Sequence, residues 1–237
     1  MNLKNIISCL ECTSNSCFIK GHSTLMNHPL IESKKKQREY VIGEYVIREN
    51  DPIEGLYFLG NGKIKIFSSG RDGIQQIVRL VHTGESLCFR GWGRTTYLTS
   101  SVALENSRIC FFESKDFMHV CDISELSMHL ITYLTNELDV AEKRLKYLMQ
   151  MNVREKTAEA LLFIRKSFGI NNMNELDVYI SRKDIAAIAG TSEELIIRQL
   201  SEFEKDKIIE RRDHGSKIAL LNENRLNELI TKYTVYL

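Results

Sequence analysis

The sequence has no excess of either charge. Its 32 Lys and Arg face 31 Asp and Glu, for a formal net charge of +1. Bulk attraction to nucleic acid is therefore excluded as a driving force. The stretch from Ser181 onward is equally balanced, with ten basic and ten acidic residues. Any DNA contact has to come from charge sorted locally onto one face. No apolar run reaches the roughly eighteen residues that a transmembrane helix needs. The opening residues, MNLKNIISCLEC, lack a hydrophobic signal core and an Ala-x-Ala cleavage site, so a cytoplasmic protein is expected. Catalytic signatures are missing too. The six histidines are scattered without His-x3-His spacing, and no Gly-x-Ser-x-Gly, P-loop or dinucleotide fingerprint occurs. These absences point away from an enzyme.

The 237 residues suit two domains of ordinary size. Six cysteines are present: Cys9, Cys12, Cys17, Cys88, Cys110 and Cys121. In a reducing compartment they are thiols or metal ligands rather than disulfides. The spacing Cys9-x2-Cys12-x4-Cys17 brings three sulfurs within reach of one ion or cluster. A closed zinc or iron–sulfur site takes four ligands, so a fourth would come from elsewhere. The alternative is a loose arm carrying ordinary thiols.

Between about Arg38 and Phe112 the pattern is one of short segments rich in Ile, Val, Tyr and Phe. They are Glu39–Val41, Tyr45–Arg48, Gly55–Gly60, Lys63–Phe67, Gln76–Leu80 and Ile109–Phe112, separated by turn signals such as Asn50-Asp51-Pro52 and Gly60-Asn61-Gly62. This spacing predicts a small antiparallel barrel or sandwich. Ser124–Met151 then reads as one long helix without Gly or Pro. Ile131, Leu134, Leu138, Ala141, Leu145 and Leu148 follow the 3-4 alternation of a heptad seam, whose simplest partner is the same helix of a second chain. The other reading is a stripe that docks onto the barrel.

A further helix is predicted over Val153–Phe168, then a polar loop over Gly169–Glu175 and a short strand over Asp177–Ile180. Ser181–Asp206 reads as two helices around Gly190. Ser181 is the expected cap of the first, and Thr191 with Glu194 the expected capping box of the second. Such a pair is either a helix-turn-helix or a helical hairpin that only packs. Lys207–Arg211 and Lys217–Leu221 around Asp213-His214-Gly215-Ser216 read as a hairpin wing, and a last helix is expected over about Glu223–Lys232.

The order of barrel, long helix and winged helix-turn-helix resembles the Crp/Fnr superfamily of bacterial transcription regulators over essentially the whole chain. The most specific block is ISRKDIAAIAGTSEELIIRQLSEFEKDKII. The segment Gly55–Gly62 with Ile64-Lys65-Ile66, and Gly84-Glu85, are similar to the family's barrel. The resemblance implies an α+β fold: an antiparallel β-roll of the cyclic-nucleotide-binding kind with the cysteine-rich arm (1–123), a dimerisation helix (124–151) and a winged helix-turn-helix (152–237).

The resemblance also implies functional residues. Glu194 and Arg198 fall on the family's base-reading positions, and their chemistry suits cytosine N4 and guanine O6/N7. Ser181, Arg182, Arg211, Arg212 and Lys217 are the expected contacts to the DNA backbone. Ile197 and Glu193 depart from the receptor branch. Cys88-Phe89 and Thr99-Ser100 stand where the cyclic-nucleotide branch keeps Gly-Glu and Arg-Ser, so cyclic AMP is not expected, and Arg90 or Arg94 are left as weak anion candidates. The cysteine trio and the stretch Val102–Cys110 are closer to the oxygen-sensing Fnr-type branch, with the second gap one residue shorter. This implies a [4Fe–4S] cluster on Cys9, Cys12, Cys17 and Cys110, with Cys88 and Cys121 as ordinary thiols. The implied partners are a near-palindromic DNA operator, a second copy of the chain and RNA polymerase, with no membrane. A barrel without a cluster, empty or holding another ligand, and a barrel module with a protein-binding tail are the competing readings.

Overall fold

The computed structural model describes residues 6–12, 14, 17–21, 26, 28–88, 94–121 and 124–233. Phe89 and Arg90 lie outside these, as do the side chains of Cys121 and His214. The chain divides into two compact units, residues 1–68 with 79–135 and residues 69–78 with 136–237, so the division falls inside the long helix.

The first unit is built around a β-roll. A short helix, α1 (Pro29–Lys34), precedes it. Proline occupies its first turn, where no amide is needed, and His28 Nδ1 accepts from the Leu30 amide. Seven strands follow: β1 (Lys36–Tyr40), β2 (Tyr45–Ile47), β3 (Gly55–Asn61), β4 (Lys63–Ser69), β5 (Gln75–His82), β6 (Ser100–Ala103) and β7 (Ser107–Glu113). They form two sheets, ordered β1-β7-β3 and β2-β6-β4-β5. Both sheets contribute to one core of Tyr40, Ile47, Leu59, Ile64, Ile66, Val81 and Ile109.

Side-chain alternation gives β3 and β7 a second apolar face. Leu56, Phe58 and Phe112 pack there with Ile19, Ile31, Phe117 and Cys9. Phe58 is fully buried, a burial that stabilises by roughly 2–3 kcal/mol. This second face positions the cysteine arm.

All six strands expected in the roll are present with shifted ends. Sequence patterning missed β6, whose four residues are nevertheless all buried between β2 and β4. It also missed α1 and α2 (Ser114–Cys121). The long helix, α3, spans Ser124–Gln150. Of its seam, Leu134 packs partly into the second core, Leu148 is half-buried, and Ile131, Leu138, Ala141 and Leu145 are exposed.

The second unit holds α4 (Val153–Phe168), α5 (Arg182–Ala189), α6 (Glu193–Lys205), β8 (Ile209–Arg212), β9 (Lys217–Leu220) and α7 (Glu223–Ile230), closed by a 3₁₀ turn over Thr231–Tyr233. Helix α4 is central and packs against α5, α6 and α7. Ala158, Leu161, Ile164, Ile185, Ile188, Ile196, Leu200, Phe203 and Leu226 are buried there.

Two expectations are corrected. Asp177–Ile180 is not a strand. The Leu176 amide bonds to Ile218 O, and isolated bridges join Ile170 to Leu176 and Glu175 to Ala219. The polar loop thus supplies the pairing, and after it the chain bends at Asp177 and Val178, with the Val178 amide turned back to Leu176 O at 2.8 Å. The cap of α6 is Ser192 rather than Thr191. The Thr191 amide still bonds to Ala186 O, which prolongs the turn at Gly190 (φ 62°), and Ser192 Oγ accepts from the Leu195 amide at 3.3 Å.

Helix α4 starts with a reciprocal capping box. Asn152 Oδ1 accepts from the Glu155 amide at 3.0 Å, and Glu155 Oε2 accepts from the Asn152 amide at 2.9 Å. The same carboxylate accepts from Tyr233 Oη at 2.8 Å and pairs with Lys232 at 2.8 Å. Burial pushes its carboxyl up, but Lys232, the Asn152 amide and Tyr233 outweigh this and hold it below the usual range. A lowered folded value means stability that is complete above the ordinary Glu pKa of about 4.3 and lost as pH falls through the folded value. Glu155→Gln is therefore expected to cost about 1.5–3 kcal/mol at neutral pH and to flatten the acid limb of stability. Urea unfolding at several pH values checks this, and an unchanged acid limb would contradict it.

Candidate nucleic-acid interface and cysteine pocket

The reading head is α5, the turn at Gly190 and α6. Ser181 caps α5: its Oγ accepts from the Asp184 amide at 3.0 Å and donates to Asp184 Oδ2 at 2.8 Å. Ile185 and Ile188 of α5, and Ile196, Leu200 and Phe203 of α6, bury the inner faces. Glu194 and Arg198, four residues apart, share the outer face of α6, and both are exposed. With Ser192 as the cap, Glu194 is not needed to cap the helix. Neither Glu194 nor Arg198 has a hydrogen bond or ion pair among the described residues. Ile197, 39% exposed, lies beside them.

The wing is β8 and β9, joined by a 3₁₀ turn at Asp213–Gly215. Gly215 has a φ of +84°, a left-handed backbone that glycine adopts without strain, and the Arg182 guanidinium lies against it. The expected backbone-contacting residues then divide. Arg182 is half-buried against Gly215 and has no acidic partner among the described residues. Arg211 Nε and Nη2 donate to Glu204 at 2.9 and 2.5 Å. Arg212 pairs with Glu210 at 2.5 Å and with Glu175 at 3.4 Å, and Lys217 stands 3.6 Å from Glu175. Asn171, ahead of Arg212 and Lys217, holds the Glu175 carboxyl below the usual range, and Arg211 does the same for Glu204. These carboxylates are charged at neutral pH and neutralise the wing cations. Sequence spacing gave no sign of these pairings: Glu175 is far from the wing in sequence, and Glu204 lies on α6, a different element from its partner Arg211.

In the first unit, Cys9, Cys12, Cys17 and Cys110 all line one small pocket with Ile19, Phe58 and Phe112. The Cys9 amide donates to Glu32 Oε1 at 2.6 Å, and Lys20 Nζ donates to Cys12 O at 2.6 Å. Gln37 exchanges two bonds with the Ile7 backbone, which ties the arm to β1. The β3–β7 register shifts at Gly60, where a Cβ would press on Arg108 O at 3.2 Å and Cys110 Sγ at 3.3 Å. That bulge leaves room beside Cys110. Burial pushes the Cys9 and Cys110 thiols up to about 11 and raises Cys17 as well. Unligated, these sulfurs are protonated at neutral pH, so any metal must displace protons. Among the described residues, no three His, Cys, Asp or Glu side chains converge on a single ion. The four cysteines lining this pocket are of the thiolate donor class that an iron–sulfur cluster takes, and they are the residues that would hold one. Cys88 lies elsewhere, its thiol pushed up to about 12 by burial and directed at Gly55 O at 3.7 Å.

A helix-turn-helix with a two-stranded wing, joined through a long helix to a β-roll, defines a winged-helix DNA-binding protein with an N-terminal sensory-type domain. The comparisons agree. The cyclic nucleotide-binding domain family matches residues 37–124, and the Crp-like helix-turn-helix domain family matches residues 155–229. Electron transport regulator A of Shewanella oneidensis is 25% identical over 203 residues, covering 84% of this chain and 79% of its own. The fumarate and nitrate reduction regulatory protein of Vibrio cholerae is 25% identical over 230 residues, covering 94% and 90%. The structure of FixK2 from Bradyrhizobium japonicum superposes with a TM-score of 0.73 at 20% identity, over 82% of this chain and 96% of that one. The chain belongs to the Crp/Fnr superfamily of DNA-binding transcription regulators. Among the described residues no helix is long and apolar enough to cross a membrane.

Proposed function

We propose that the protein acts as a homodimer that reads a near-palindromic operator through α6 and reports a redox signal from its cysteine pocket. The observation that carries the DNA reading is the outward, unpaired presentation of Glu194 and Arg198 on one helix face. Arg198 would donate to guanine and Glu194 would accept from cytosine N4. Ile197 offers an apolar surface to a thymine methyl. Arg182, with Ser181 at the start of α5, would meet phosphate. Arg211, Arg212 and Lys217 would brace the wing and reach phosphate by sharing their carboxylates.

The exposed residues Ile131, Leu138 and Leu145 of α3, with Leu134, Ala141 and Leu148, would form the seam with a second chain. Cys9, Cys12, Cys17 and Cys110 would hold a [4Fe–4S] cluster. Bound there, the cluster would supply sensitivity to oxygen or nitric oxide. RNA polymerase is the partner at the regulated promoter.

The test is selection of bound duplexes from a random pool by the full chain. The expected product is a two-fold symmetric site with half-site centres about one helical turn, roughly 34 Å, apart. Enrichment of a single unsymmetric site, or none, would overturn the proposal.

A further inference from the structure

Lys35 is a charged side chain placed where a charge is costly. Its side chain is only 1% exposed, at the end of α1 and just before β1. Burying an ammonium is unfavourable unless anions or strong acceptors surround it. Its partners are the Glu32 carboxylate, at 3.1 and 3.2 Å, and Cys9 Sγ, at 3.2 Å. Two residues on, and so on the same side of the strand, Gln37 Nε2 donates to Cys110 Sγ at 3.3 Å. Both side chains line the pocket that holds the four cysteines. Lys36 and Arg38, between and beyond them, pair instead with Glu113 and Glu44. The start of β1 thus aims two N–H donors, one of them cationic, at two of the four sulfurs.

We propose that Lys35 and Gln37 are positioning residues that hydrogen-bond the ligating sulfurs of Cys9 and Cys110 and thereby raise the reduction potential of the cluster and prolong its lifetime in oxygen. The inference rests on the cluster reading given above. Hydrogen bonds to ligand sulfurs and nearby positive charge stabilise the more reduced, more negative state of an iron–sulfur centre. The ammonium of Lys35 also balances part of the negative charge that four thiolates would bring into a buried pocket, and Glu32 keeps it in place.

The test uses the full chain, reconstituted without oxygen from ferric iron and sulfide in the presence of a thiol reductant, as wild type, Lys35→Met, Lys35→Arg and Gln37→Leu. Iron and sulfide content, midpoint potential and the rate of loss of the visible charge-transfer absorbance at fixed oxygen are measured. Lys35→Met is expected to have a lower potential and roughly tenfold faster loss, the lower end of the usual cost of removing a partner of a metal ligand. Gln37→Leu should shift both in the same direction by less, and Lys35→Arg should stay near wild type. A residue that mattered only for packing would change iron content without moving the potential. If Lys35→Met does not fold, Gln37→Leu decides by the same two readouts. Wild type that loads iron, with variants of unchanged potential and lifetime, overturns this inference alone. Wild type that takes up no iron and sulfide overturns the cluster reading and this inference with it.

Discussion

Replacing Arg144 by Met is expected to destabilise the second unit by about 3–5 kcal/mol, the usual cost of removing one member of a buried ion pair. Arg144 and Glu159 are 7% and 0% exposed. Arg144 Nε donates to Glu159 Oε1 at 2.9 Å, and its Nη2 donates to Glu159 Oε2 at 3.4 Å and to Ile188 O at 2.9 Å. The guanidinium also lies 4.1 Å from the centre of the Phe163 ring. One side chain of α3 thus meets α4 and the last turn of α5. Met fills similar volume but takes the cation from Glu159 and the donor from the Ile188 carbonyl. Against a typical total of about 5–15 kcal/mol, this is a large fraction.

Arg144→Met with Glu159→Met should recover most of that loss, because removing both charges leaves no carboxylate stripped of its guanidinium. Ile188 belongs to the first helix of the reading head, so the single variant should also weaken operator binding. Denaturant unfolding of the two variants checks the stability claim. A single-variant cost below about 1 kcal/mol would contradict it, because that is the range of an exposed pair.

The legible parts of this chain were those with a period. Six of the seven roll strands, the long helix and the winged helix-turn-helix followed from alternation, heptad spacing and turn residues. The four-residue β6 did not, because its serines are polar and its burial comes from neighbours far away in sequence. The cap of α6 was misplaced by one residue because Thr191 and Ser192 are both good caps, and what separates them is the bond from the Thr191 amide to Ala186 O and that from the Leu195 amide to Ser192 Oγ. That shift matters, since it leaves Glu194 with no part in capping. The four cysteines line one pocket, but the spacing of the first three gave no sign of where Cys110 would stand. The donors at Lys35 and Gln37 had no motif to announce them, and they came to light only once β1 was set beside the arm. The same holds for the carboxylates that neutralise Arg211, Arg212 and Lys217. Ion pairing between different elements leaves no periodic trace.

The second large effect is expected at Arg198. Its side chain is exposed on α6 and touches no acidic group among the described residues, so Arg198→Ala should leave folding within about 0.5 kcal/mol of wild type. On DNA the expectation is different. A bidentate arginine–guanine contact contributes about 1–3 kcal/mol of discrimination, and a dimer would make it in each half-site. Affinity for the selected operator should fall by at least tenfold, about 1.4 kcal/mol, while affinity for unrelated duplex, which depends on phosphate contacts, changes little.

The most direct measurement is therefore the ratio of operator to non-operator affinity for wild type and Arg198→Ala at one fixed salt concentration. A ratio that falls by at least tenfold in the variant, with dimer and fold intact, is the predicted result. A ratio unchanged by Arg198→Ala would contradict the claim that α6 reads the sequence through this face.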